Sequence, residues 1–100
     1  MDELSRELDE YREQIDQLDT DLVACLFRRF QVANKIAEVK HKVDAPVNQP
    51  HRATVVERHY IELGEQFGIS ADFLQDLYRL IHAESCRVQE RPTFQSHRER

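Results

Sequence analysis

Glycine and proline are scarce in this chain, two of one and three of the other among 100 residues. Folds built from many tight turns need both, and no strand-like alternation of apolar and polar residues persists beyond a few positions. Leu, Glu, Gln, Arg and Ala, all good helix formers, abound instead. The expected fold class is all-α. No apolar run approaches the roughly 20 residues of a membrane span. The N-terminal MDELSRELDEYREQ also lacks the basic start and apolar core of a secretory signal. The expected location is therefore the cytoplasm. A formal net charge of −5 argues against a general nucleic-acid or anionic-membrane surface, so any basic groups that matter must be locally concentrated.

Several kinds of chemistry are missing as well. There is no CxxC pair, and Cys25 and Cys86 fall in partly apolar helical contexts, which predicts buried free thiols. The five histidines, His41, His51, His59, His82 and His97, show no metal-ligand spacing, so no metal is expected. A GxSxG elbow, a glycine-rich phosphate loop and an HExxH pair are all absent. An enzyme with this sequence works by electrostatics and positioning.

What the sequence does have is a long apolar seam. Leu4, Leu8, Tyr11, Ile15, Leu18, Leu22 and Cys25 recur in steps of four and three, and Val32, Ile36, Val39 and Val43 continue the row. Nothing between residues 3 and 41 breaks a helix. The proline-bearing stretch HKVDAPVNQP is the first loop, and a second helix starts near Pro50 with Val56, His59 or Tyr60, Leu63 and Phe67 on one side. Gly68 ends it, Ser70 caps a third, and that helix carries Phe73 or Leu74, Leu77, Ile81, Ser85 and Val88 until Pro92. Residues 1–91 are expected to form one helical domain, with 92–100 a disordered polar tail. A first helix of this length extends roughly 55 to 60 Å, whereas a compact 100-residue monomer has a radius of gyration of about 13 Å. Two shorter helices cannot cover its seam, so the expectation is an intertwined homodimer of three-helix protomers.

Polar residues intrude on these stripes. Arg29 occupies a seam position of helix one, Arg52 lies one turn before Val56, and Ser85 stands on the third stripe with Gln89 one turn on. Lys40 follows Arg29 by eleven residues, close to three turns, which puts both cations on one face roughly 16 Å apart. Arg12 is rotated by about a hundred degrees from Arg29 and lies roughly 25 Å away along the helix. In an antiparallel dimer it reaches the second copy's pocket instead, giving two equivalent sites. Buried cations need compensation, and guanidinium groups pair bidentately with carboxylates, so the set points to a small ligand with two carboxylates.

The pattern R-x-x-I-x-x-L-D from Arg12, R-R at Arg28 and Arg29, Lys40, P-x-R at Pro50 to Arg52, and S-x-x-x-Q from Ser85 to Gln89 resembles the AroQ class of all-helical chorismate mutases. The resemblance implies an entwined dimer that converts chorismate to prephenate by a cofactor-free [3,3] rearrangement, the step toward aromatic amino acids in the shikimate pathway. Transferred by position, it implies that Arg29 and the second copy's Arg12 grip the carboxylates. Lys40 reaches a carboxylate and the ether oxygen, Gln89 donates to that oxygen, Ser85 contacts a carboxylate, and Arg52 orients the polar groups.

Two positions depart from the family's D-P-x-R-E stretch, which here reads QPHRA. Gln49 replaces the aspartate and Ala53 the glutamate that serve the ring hydroxyl. A Q-P-x-R stretch with a later C-R-V also resembles mutases of 4-amino-4-deoxychorismate, and a related helical fold hosts isochorismate pyruvate lyases. The non-enzymatic alternative is a helical dimerisation module.

Overall fold

A computed structural model describes residues 2–45 and 49–90 of the chain. It contains three helices: α1 (Glu3–Lys42), α2 (Pro50–Phe67) and α3 (Ala71–Glu90), with no strand among the described residues. The all-α expectation holds, and the starts of all three helices and the ends of α1 and α2 fall within a residue or two of those read from the sequence. The predicted closure at Pro92, the polar tail and part of the first loop lie outside the described residues. None of the helices is long and apolar enough to cross a membrane.

Each boundary has a local cause. Asp2 opens α1 by accepting the Ser5 backbone N–H at 2.8 Å, and this bond holds its carboxyl below the usual carboxylate range. At the other end Asp44 adopts a left-handed φ of 58°. There the Ala45 N–H donates to Lys40 O at 2.8 Å and the Asp44 N–H to His41 O at 3.2 Å, so two of the last orphan carbonyls of α1 are satisfied. Pro50 occupies the start of α2, where a missing N–H is harmless. Gly68, at φ 71°, turns the chain out of α2 while the Ile69 N–H reaches back to Gly64 O at 2.9 Å. The Ser70 hydroxyl then accepts the Phe73 N–H at 3.2 Å and starts α3.

The structure divides into two units, Met1–Val32 and Ala33–Arg100. In the second, α2 packs on α3, and Leu74, Tyr78 and Ile81 are buried together with Ala33 and Gly64. Tyr60 meets Tyr78 with ring centroids 5.3 Å apart. Gly64 leaves no room for a side chain, for a Cβ there would stand 2.7 Å from Leu74 Cδ1 and 2.8 Å from Ile69 O. Gln75 Nε2 donates to Glu57 Oε2 at 2.9 Å, and Arg79 Nε lies 3.5 Å from the same oxygen, adding a polar tie between the two helices.

The stripes need correction in detail. On α3 Leu74, not Phe73, turns inward, joined by Tyr78, which the sequence-based stripe omitted. On α2 Tyr60 is half-buried where His59 is exposed, and Phe67 is 69% exposed because it sits at the helix end. Neither Cys25 nor Cys86 is part of a disulfide among the described residues, but Cys25 is exposed, contrary to expectation. The reason is its place on the α1 seam, whose large apolar residues are between 45% (Ile36) and 72% (Leu4) exposed.

Candidate functional site

The second unit carries five of the seven candidate residues, Lys40, Gln49, Arg52, Ser85 and Gln89, while Arg12 and Arg29 belong to the first. On α3 the row Leu74, Tyr78, Ile81 runs straight into Ser85, so a hydroxyl continues an apolar line and ends only 7% exposed. Gln89, one turn on, is half-buried. This placement follows from helical spacing alone: positions 74, 78, 81, 85 and 89 share one face. Arg87 leaves that face. Its Nε donates to Glu84 Oε1 at 2.8 Å and its second nitrogen to Oε2, which raises the guanidinium pKa above its ordinary value.

Lys40 is half-buried in the last turn of α1, where Ala33 and Ala37 also turn inward and Ile36, Val39 and Val43 stay exposed. A cation is favoured there by the helix dipole, and Lys40's own carbonyl is the acceptor in the capping bond from Ala45. Gln49 and Arg52 flank the start of α2 and are exposed, and Ala53 behind them is half-buried.

In the first unit Arg29 is half-buried although it stands in a seam of exposed apolar residues. Arg12 is exposed, with Nη1 3.7 Å from Asp9 Oδ1, a surface pair worth well under about 1 kcal/mol. The structure also shows an aromatic run that the sequence reading missed. The His82 ring stacks on Tyr78 at 5.4 Å, and Cys86 Sγ lies 3.6 Å from His82 Nε2. The spacing 78, 82, 86, a repeat of one helical turn, was the available signal.

The candidate side chains are two amides, a hydroxyl, an ammonium and guanidinium groups, with no carboxylate among them. Such a set offers many donors, suits an anion, and has no general base of ordinary carboxylate or imidazole kind. Among the described residues no three His, Cys, Asp or Glu side chains are placed to hold a metal ion.

The family model for chorismate mutase type II matches residues 11–90. The chain belongs to the chorismate mutase type II family. All seven candidate residues of this chorismate mutase homologue, from Arg12 to Gln89, fall inside the matched span. It is similar to a 4-amino-4-deoxychorismate mutase of Streptomyces venezuelae, with 32% identity over 84 residues, 84% of this chain and 82% of the relative. A protein of the same name from Streptomyces pristinaespiralis is 31% identical over 83% of this chain and 64% of its own length. The T-protein of Haemophilus influenzae is 31% identical over 78% of this chain, which spans only 21% of that longer protein. Family membership makes the chain an isomerase and displaces the reading as a mere dimerisation module.

Proposed function

We propose that the chain rearranges chorismate to prephenate and does so as a homodimer. The carrying observation is the buried Ser85 with half-buried Gln89 on the core-facing side of α3, in a chain that also holds Lys40 half-buried at the end of α1. Inward polar groups on apolar stripes fit a polar guest. The reaction breaks one C–O bond and forms one C–C bond within a single molecule, so no group is gained or lost and no cofactor is called for. Catalysis then consists of holding a folded conformer and meeting the negative charge that grows on the ether oxygen.

In this reading Arg29 and Arg12 of the second copy grip the two carboxylates. Lys40 bridges a carboxylate and the ether oxygen, and Gln89 donates to that same oxygen. Ser85 contacts a carboxylate, Arg52 orients the polar groups, and Gln49 lies toward the ring substituent. A preorganised donor at a developing oxyanion supplies about 3 to 4 kcal/mol. The dimer is supported by the exposed α1 seam, since soluble monomers rarely leave so long an apolar row to water.

A second reading has its own support. Gln49 and Ala53 provide no carboxylate for a ring hydroxyl, and two relatives matched over more than four-fifths of this chain are named as mutases of 4-amino-4-deoxychorismate. The ring substituent is then an amine, with the same carboxylate grip and the same rearrangement.

Incubating the purified protein with chorismate, 4-amino-4-deoxychorismate and isochorismate in separate reactions tests the assignment, with the Arg29→Leu variant as control. The expected outcome is rearrangement of chorismate, or of its amino analogue under the second reading, with Arg29→Leu slower by about 100-fold or more. Pyruvate release from isochorismate, or full activity in Arg29→Leu, contradicts the proposal.

A further inference from the structure

The proposed chemistry leaves the aromatic run on α3 without a role. His82 stacks on Tyr78 with ring centroids 5.4 Å apart and an interplanar angle of 25°, and its Nε2 lies 3.6 Å from Cys86 Sγ. Neighbours one turn before and one turn after thus hold the ring, which is half-buried. An imidazole fixed in this way has given up its rotamer freedom before any ligand arrives. With Nε2 committed to the thiol, Nδ1 is the nitrogen left for a further hydrogen bond.

The place of His82 around α3 sets it beside the polar candidates. At about 100° per residue, Gln89 lies roughly 40° and His82 roughly 60° from Ser85 on one side of the helix, whereas the buried Ile81 lies roughly 40° away on the other. His82 therefore extends the polar edge of Ser85 and Gln89 toward the start of α3.

The register of α2 on α3 gives what lies opposite. Gly64 approaches Leu74 and Tyr60 meets Tyr78, so a step of four residues back along α2 matches a step of four forward along α3, and the two helices run antiparallel. One more such step brings Val56 level with His82, and the next turn brings Ala53 level with Ser85. Val56 and Ala53 are half-buried, and neither side chain can make a hydrogen bond. A polar substituent held against Ala53 then finds its partner on α3. Ser85 is assigned to a carboxylate, and His82 is the next polar side chain along that edge.

We infer that His82 is a specificity-determining residue, whose Nδ1 hydrogen-bonds the substituent on the substrate ring where α2 offers no polar group. The inference rests on the proposed reading of the site as that of a mutase of chorismate or its amino analogue. A neutral imidazole serves either substituent. When the thiol donates to Nε2, Nδ1–H donates to a hydroxyl oxygen; when Nε2–H donates to the sulfur, Nδ1 accepts from a hydroxyl or an ammonium.

The test compares His82→Leu and His82→Asn with the wild type on chorismate, 4-amino-4-deoxychorismate and 4-deoxychorismate, the last with only hydrogen at that ring carbon. Ratios of kcat/KM between substrates on one preparation do not depend on how much of the protein is folded. His82→Leu is expected to lower kcat/KM about tenfold on the substrate that the wild type prefers and to leave that on 4-deoxychorismate within about twofold. The amide of His82→Asn falls near the place of Nδ1 and restores most of the lost ratio. A merely structural role slows all three substrates by the same factor. That result, unchanged ratios in His82→Leu, or no recovery in His82→Asn overturns the inference while the wild type's own turnover upholds the reaction. A wild type that rearranges none of the three refutes the reaction and the contact together.

Discussion

Gln89 is where the proposed chemistry depends most on a single functional group. A neutral amide donates a hydrogen bond at any pH, whereas a glutamate donates only when protonated. Gln89→Glu is therefore expected to be nearly inactive at neutral pH and to regain turnover as the pH falls toward and below about 5. A flat pH profile of kcat/KM for that variant removes Gln89 from the ether oxygen. Ser85 and Gln89 are legible in the sequence because a polar side chain on an otherwise apolar helical stripe is conspicuous, and the burial of Ser85 agrees with that reading. Arg12 and Arg52 are less legible from spacing alone, and both are exposed. Their assignment rests on the spaced motif, since no property of one chain's surface separates a substrate-gripping arginine from a solvated one.

Among the elements, α1 ends on an unusual residue. Asp44 holds a left-handed conformation that suits glycine, and it places a carboxylate beside the negative end of a helix dipole. Asp44→Gly should relieve both and stabilise the protein by about 0.5 to 1 kcal/mol, visible as a higher denaturation midpoint with unchanged slope. A lower midpoint would show that the Asp44 side chain contributes a contact of greater worth. This ending also explains why α1 stops at Lys42, ahead of Pro46: the capping bonds from Asp44 and Ala45 close it first. Boundaries at Pro50, Gly68 and Ser70 are readable because each is set by one residue's local chemistry. The inward residue at each turn is less readable. Choosing Leu74 over Phe73, or Tyr60 over His59, depends on how α2 lies against α3, and periodicity fixes a face only to within one position.

At the scale of the whole molecule, chain length and apolar patterning together point to an assembly. Along the 40-residue α1 the large apolar seam residues from Leu4 to Val43 stay exposed in a single chain. Cys25 shows what that means for a single residue: the sequence marks it as interior, and in one chain it is exposed. In the proposed homodimer this surface meets the chemistry, because each site takes Lys40 from one copy and Arg12 from the other. Mixing Arg12→Ala and Lys40→Ala chains tests it directly. Each variant alone has two defective sites per dimer. After unfolding and joint refolding in equal amounts, half of the dimers are mixed and each mixed dimer has one intact site, so about one quarter of wild-type turnover returns. Turnover in the mixture no higher than in the separate variants contradicts a site shared between two copies.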